Sequence, residues 1–298
     1  MKYAIVFPGQ GSQSLGMLSD LNDNFSIVKD TFTEASDALG FDLWALTQED
    51  QEALNQTQNT QPAMLAAGYA TYKVLTSQSD LSPVCMAGHS LGEYTALVAS
   101  GALGFSDAIK LVRTRAQLMQ SAVPEGVGAM AAILGLDDEV VVKVCHDYAG
   151  EGIVQAVNFN SNGQVVIAGN KAAVDATCEA MKAAGAKRAV VLPVSVPSHC
   201  SLMDDAAGEF KHAVDALDFN MGSVDVLHNV DASKAADINE MKAKLVAQLH
   251  KPVLWTGTVR AMHAMGVEKL IEAGPGKVLA GLTRRIEKSL SANAVLDS

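Results

Sequence analysis

Pro83-Val84-Cys85-Met86-Ala87-Gly88-His89-Ser90-Leu91-Gly92-Glu93-Tyr94-Thr95-Ala96-Leu97-Val98-Ala99-Ser100 reads as a strand, a tight turn and a helix. Pro83–Ala87 is a short apolar run of the kind buried in a sheet, and Glu93–Ser100 has helical character. Between them Gly88-His89-Ser90-Leu91-Gly92 fits G-x-S-x-G, the turn that carries a nucleophile from a strand into a helix. A serine held in such a strained turn leaves no room for Cβ atoms two positions to either side, and glycine meets that need. The turn lifts the Ser90 hydroxyl clear of the sheet and aims it at unpaired N–H groups of the new helix. The Leu91 amide is first among these donors, which can hold an oxyanion. A chance match is the alternative in a chain with 24 glycines. Strand and helix in the required order argue against it, and Ser90 becomes the candidate nucleophile.

Around this unit, short apolar runs alternate with segments of helical period, which predicts an α/β fold with a largely parallel sheet. Tyr3–Phe7 reads as a buried strand ending in Pro8-Gly9-Gln10-Gly11-Ser12-Gln13, a loop at the strand end where such folds bind ligands. Thr60-Gln61-Pro62 is expected to open a helix running to about Thr76. In the middle of the chain the pattern changes. Ala129–Gly135, Val154–Phe159, Gln164–Ala168 and Arg188–Val194 read as strands, with helices over Asp137–Ala149 and Lys171–Ala184 and a hairpin signal at Asn162-Gly163. Strand-helix-strand-strand-helix-strand is the order of a ferredoxin-like unit. Residues 126–195 are therefore expected to form an inserted small subdomain, with 1–125 and 196–298 forming one larger α/β body that carries the nucleophile and its base.

Composition excludes other classes. The 298 residues carry 22 Lys+Arg against 33 Asp+Glu, a formal −11, with only 8 Phe, 5 Tyr and 2 Trp. So acidic a surface, so poor in rings for base stacking, argues against nucleic acid or an anionic membrane as partner. Cys85, Cys145, Cys178 and Cys200 include no C-x-x-C pair and match no zinc spacing, so reduced buried thiols and no metal are expected. The apolar run at the N-terminus is too short for a signal peptide, and no stretch approaches the ~20 apolar residues of a membrane span. A soluble, cytoplasmic protein is expected.

A nucleophilic serine needs a base. Of seven histidines, His89 adjoins Ser90 and should project away from it, while His146, His212, His228, His250 and His263 lie on or beside helices or follow an apolar run and read as structural. His199 differs: Ser195-Val196-Pro197-Ser198-His199-Cys200 breaks a strand just before a helix and places the imidazole in a loop at a strand end. No lone acid volunteers as a third triad member, since Asp204 and Asp205 read as first-turn acids favoured by a helix dipole. A backbone carbonyl holding the ring would make a Ser–His dyad.

Ser106–Val123 adds a second clue. At about 100° per residue, Ala108, Leu111, Val112, Leu118, Met119 and Ala122 all fall within about 60° of Arg115. The arginine sits in the middle of the apolar stripe, where a charge that cannot be neutralised requires an anionic partner. A core Asp or Glu, or a snorkelling stem, would make it structural. A bidentate clamp for a substrate carboxylate would make it functional, and beside an acyl-transfer serine would imply an acyl group with a free acid at its far end, such as malonyl.

The chain resembles the malonyl-CoA:acyl carrier protein transacylase family of fatty acid synthesis. The resemblance rests on Phe7-Pro8-Gly9-Gln10-Gly11-Ser12-Gln13, Thr60-Gln61-Pro62-Ala63, Gly88-His89-Ser90-Leu91-Gly92-Glu93-Tyr94, Met119-Gln120, Val157-Asn158-Phe159-Asn160, Pro193 through Cys200 and Glu272-Ala273-Gly274-Pro275-Gly276-Lys277, in order along nearly the whole chain. It implies a hydrolase-like body with a ferredoxin-like insert. It implies Ser90 as the acylated residue, His199 as its base, Arg115 as partner of the malonyl carboxylate, and the amides of Gln10 and Leu91 as the oxyanion hole. Gln248, in Gln248-Leu249-His250-Lys251-Pro252, would orient the histidine through its backbone carbonyl, and Asn160 and Ser198 are candidates for the substrate pocket. Asn162 stands where proline is common and His228 where asparagine is usual; both departures are expected to affect only fine packing.

The implied reaction is ping-pong transfer from malonyl-CoA to the phosphopantetheine thiol of acyl carrier protein. The enzyme would hold no cofactor of its own and is expected to be a monomer. An acidic carrier docking on an acidic enzyme calls for a local basic patch, for which Lys182, Lys187, Arg188, Arg284, Arg285 and Lys288 are available. A serine hydrolase or thioesterase with the same elbow is the nearest alternative, and a non-catalytic carrier-binding module a more distant one.

Overall fold

The computed structural model describes residues 1–194 and 196–297; Ser195, the last residue of the expected insert, lies outside the described residues. Among the described residues nine strands form two sheets: β1 Tyr3–Phe7, β2 Met86–Gly88, β3 Gly128–Leu134, β4 Val154–Ser161, β5 Gln164–Asn170, β6 Arg188–Val191, β7 Val226–Leu227, β8 Lys269–Glu272 and β9 Ser291–Ala294. The first sheet has the order β7-β2-β1-β8-β9, and every pairing in it is parallel. Its central strand shows why it is covered on both faces. Ile5 and Phe7 point into one apolar cluster with the Thr57–Gln78 and Phe105–Ser121 helices, while Ala4 and Val6 point into another with Trp255, Val259 and Leu279.

The second sheet has the order β4-β5-β3-β6 and is antiparallel throughout. Alternation again divides it. Ala129, Ala131 and Ile133 face a cluster with the helices Asp138–His146 and Lys171–Ala183, and Met130 faces the opposite way toward Val157, Ala168 and Cys200. Strand order and connections are those of the ferredoxin-like unit expected from sequence. The second sheet is tied to the segment before the Trp255–Ala264 helix, where Phe159 N–H donates to Val253 O and Val253 N–H to Val157 O.

Several boundaries differ from expectation for physical reasons. The helix expected to open at Thr60 opens at Thr57, so Pro62 lies inside it. Thr60 does not cap; its hydroxyl donates to Leu54 O and Gln56 O. The strand expected over Arg188–Val194 ends at Val191, because Pro193 has no N–H to extend the ladder. The strand before the elbow is assigned only over Met86–Gly88, although Val84 N–H and Cys85 O already bond to the edge of β1. Strands β7, β8 and β9 are short segments without a strong alternating signal, and sequence reading did not draw them.

Candidate active site

The turn after β2 is built by close approach of backbone. A Cβ on Gly88 would lie 1.9 Å from Gly92 C and O, and one on Gly92 would lie 2.1 Å from Phe7 O. With both positions bare, Ser90 takes φ +51°, a left-handed conformation that costs a non-glycine residue about 1–2 kcal/mol. Asn229 stabilises the strained turn from below. Its Oδ1 accepts from Ser90 N–H at 2.7 Å and its Nδ2 donates to Gly88 O at 2.7 Å.

His199 stands opposite, also left-handed at φ +65°, with its own N–H donating to Leu249 O at 2.9 Å. Ser90 Oγ and His199 Nε2 are 2.8 Å apart, and His199 Nδ1 is 2.6 Å from Gln248 O. Because a carbonyl only accepts, Nδ1 carries the proton and Nε2 is free to take one from the serine. Any residue type offers a carbonyl, which is why no third acid could be read from the sequence. The imidazole is 3 % exposed. Burial first, and then the Arg115 charge, pull its pKa down to about 3, while the Gln248 carbonyl opposes them.

Arg115 lies on the buried face of the Phe105–Ser121 helix and is 1 % exposed. No carboxylate touches it among the described residues, so the core Asp or Glu that would have made it a structural ion pair is not in contact with it. Its Nη1 donates to Gln61 Oε1 at 2.8 Å and its Nη2 to Gln248 Oε1 at 2.9 Å, with Ser90 Oγ 3.3 Å from Nη2. Nε is buried without a partner, and the Tyr94 ring lies 5.4 Å from the guanidinium carbon. Burial pulls the Arg115 pKa below its usual range. The atoms that accept from this buried cation are thus neutral oxygens, one of them the Ser90 hydroxyl.

Ser90, His199 and Arg115 open onto one cavity of about 140 Å³, comparable to a void that admits a benzene ring. Gln10, Leu91 and Ser198 also line it. A Cβ on Gly9 would lie 2.4 Å from His89 O and 3.7 Å from Leu91 N, so the loop bearing Gln10 presses against the elbow. Neither the Gln10 nor the Leu91 amide donates to another group among the described residues. Asn160 turns away to His89, whose Nε2 it meets at 2.7 Å, while Asn158 lines the cavity with its Oδ1 buried and unpartnered. His89 accordingly does not engage the serine.

Sequence reasoning missed a polar layer beneath these groups. Gln61, Glu93 and Asn229 lay inside or beside motifs without an assigned role. His228, whose departure was expected to affect only fine packing, contacts Glu93 Oε1 through Nδ1 at 2.7 Å with both side chains buried, and its neighbour Asn229, given no role from sequence, holds the elbow. All four cysteines are buried and free. Burial raises their pKa values, to about 12 for Cys85 and Cys145 and about 11 for Cys200, so they stay protonated thiols. Among the described residues no group of His, Cys, Asp and Glu is placed to hold a metal ion, and no helix is long and apolar enough to cross a membrane.

Comparison with known proteins places this geometry in context. The acyl transferase domain family matches residues 4–295. Malonyl CoA-acyl carrier protein transacylase of Escherichia coli K12 is 54% identical over 295 residues, covering 99% of this chain and 96% of that one. The namesake from Bacillus subtilis is 44% identical, covering 99% and 94%. Among solved structures, an acyl carrier protein S-malonyltransferase from Vibrio cholerae is 55% identical with a TM-score of 0.96, covering 99% and 96%. A malonyl-transacylase in complex with its type II PKS acyl-carrier protein is 52% identical with a TM-score of 0.97 and the same coverage.

Proposed function

The chain belongs to the acyl transferase domain family, and we propose that it transfers malonyl groups from malonyl-CoA to the phosphopantetheine thiol of acyl carrier protein for fatty acid synthesis. One observation carries the choice of acyl group: a buried guanidinium, touched by no carboxylate among the described residues, 3.3 Å from the candidate nucleophile. A malonyl carboxylate satisfies it and an acetyl methyl leaves it unpaired.

In the reaction we infer, His199 Nε2 takes the Ser90 proton as Oγ attacks the thioester carbonyl. A C–O bond forms, and the oxyanion is held by the Gln10 and Leu91 amides. Collapse breaks the C–S bond, and the coenzyme A sulfur leaves with the proton from His199. In the second half the carrier thiol gives its proton to His199, its sulfur attacks the malonyl ester, and Ser90 recovers its hydroxyl. Malonyl assists its own transfer, because a carboxylate on Arg115 offsets the charge that depresses the His199 pKa.

The phosphopantetheine belongs to the carrier, so the enzyme needs no cofactor of its own. For carrier docking, Lys187 and Arg285 are candidates near the Asn162–Gly163 turn: Lys187 packs over Gly135 beside that turn, and Arg285 Nη1 donates to Gln164 Oε1 just after it. A monomer working in the cytoplasm, and a body of 1–125 and 196–298 with 126–195 as insert, complete the reading. The deciding experiment is to incubate with malonyl-CoA, trap, and map the modified residue by mass spectrometry. The label is expected on Ser90 and absent from Ser90→Ala, with slow hydrolysis when no thiol acceptor is present. A label on another residue, or hydrolysis faster than transfer, overturns the reading.

A further inference from the structure

Arg115 poses a problem that its immediate partners do not solve. A cation 1 % exposed should not rest among neutral oxygens alone. Its balance lies one residue away. Gln248 Oε1 accepts from Arg115 Nη2 at 2.9 Å, and the other end of the same amide, Nε2, donates to Glu93 Oε2 at 2.8 Å. Glu93 is fully buried, and every group around its carboxylate donates: His228 Nδ1 at 2.7 Å to Oε1, Asn229 N–H at 3.0 Å and the Gln248 amide to Oε2. Cation, amide dipole and anion stand in series, with the dipole aligned between the charges.

The spacer matters for selectivity. A carboxylate touching Arg115 would stabilise it and also occupy it, so that malonyl would have to break an ion pair to bind. Placed beyond Gln248, the charge of Glu93 steadies the guanidinium without itself occupying the side that faces Ser90. Glu93 also determines which way the Gln248 amide points. Nε2 faces Ser90 O, Glu93 and Asn229 Oδ1, all acceptors, which leaves Oε1 for Arg115. A reversed amide would set N–H against N–H and displace the guanidinium. We propose that Glu93, acting through the side-chain amide of Gln248, is a positioning residue for malonyl selectivity that supplies the resting counter-charge of Arg115. A first-turn acid that merely favours its own helix dipole would have no such effect.

The inference rests on Arg115 as the partner of the malonyl carboxylate, so the test includes that residue. Kinetic constants for malonyl-CoA and acetyl-CoA are measured for the wild type, Glu93→Gln, Arg115→Met and the double variant. Glu93→Gln is expected to raise KM for malonyl-CoA more than it lowers kcat, and to reduce the malonyl-to-acetyl ratio of kcat/KM about tenfold, the loss of one charge-assisted contact. In the Arg115→Met background the same change is expected to move the ratio by less than about twofold, because its effect has lost its target. Gln248→Met removes the amide bridge while keeping the backbone carbonyl on His199, and carries the same expected fall should Glu93→Gln not fold. A ratio that moves in Arg115→Met but neither in Glu93→Gln nor in Gln248→Met overturns the role of Glu93 alone. A ratio unmoved in all of them overturns the reading of Arg115 and this inference with it. Equal losses from Glu93→Gln in both backgrounds make the residue merely structural.

Discussion

Replacing Arg115 with methionine keeps most of the buried volume and removes the charge, so its effect can be worked from the geometry. The guanidinium donates to the neutral oxygens of Gln61, Gln248 and Ser90, so a carboxylate in the cavity would exchange neutral acceptors for charge-assisted hydrogen bonds, taken here as two. Each is worth about 1.5–3 kcal/mol, and desolvating the malonyl carboxylate takes part of that back. A net loss of about 3–4 kcal/mol corresponds to about 100- to 1000-fold in kcat/KM for malonyl-CoA. Acetyl transfer is expected to hold or rise, because the methyl no longer faces an unpaired cation. The assay is steady-state transfer from each coenzyme A ester to holo carrier protein, read as a ratio so that changes in enzyme quality cancel. The same variant should also shift a pH profile. Arg115 is the second cause depressing the His199 pKa, so its removal raises that pKa and moves the acid limb of acetyl transfer to higher pH. A malonyl-to-acetyl ratio within about threefold of wild type, less than one ordinary hydrogen bond is worth, would sink the carboxylate clamp.

Two further outcomes test other parts of the structure. His199 has a folded pKa of about 3 against an ordinary 6.5, so the unfolded chain binds the extra proton between those values. The stability this contributes is present above about pH 6.5 and is lost as pH falls toward 3, at about 1.4 kcal/mol per pH unit for one proton. His199→Gln should therefore flatten the fall of urea midpoint between pH 6 and pH 4, and an unchanged slope would place the acid-sensitive group elsewhere. Arg285→Glu should raise KM for carrier protein several-fold while leaving KM for malonyl-CoA in place, with a loss that shrinks at high salt. Equal effects on both substrates would remove Arg285 from the docking face.

Much of the site was legible because it is local. Gly88 and Gly92 are spaced by the turn they permit, and contact with Phe7 O explains why no larger residue could replace Gly92. The burial of Arg115 followed from helical phase alone, and the ferredoxin-like insert from the order of its periodic segments. Each of those elements is written in a short run of sequence, where backbone geometry leaves a periodic or positional mark.

What escaped the sequence was assembled across the chain. Gln248 meets Arg115 across 133 positions and Glu93 across 155, and Asn229 meets Ser90 across 139. Gln61 reaches Arg115 only because the Thr57–Gln78 helix packs against the Phe105–Ser121 helix. The carbonyl on the His199 ring could be placed at Gln248 only through the family resemblance, and side chains that carry no charge of their own hold the guanidinium. Neither leaves a signature in residue type, since carbonyls are universal and a glutamine's amide can face either way. Chain geometry thus committed this protein to a serine on a tight turn and a buried arginine. Only the packing of distant loops set the distance between them and supplied the polar layer that keeps both in place.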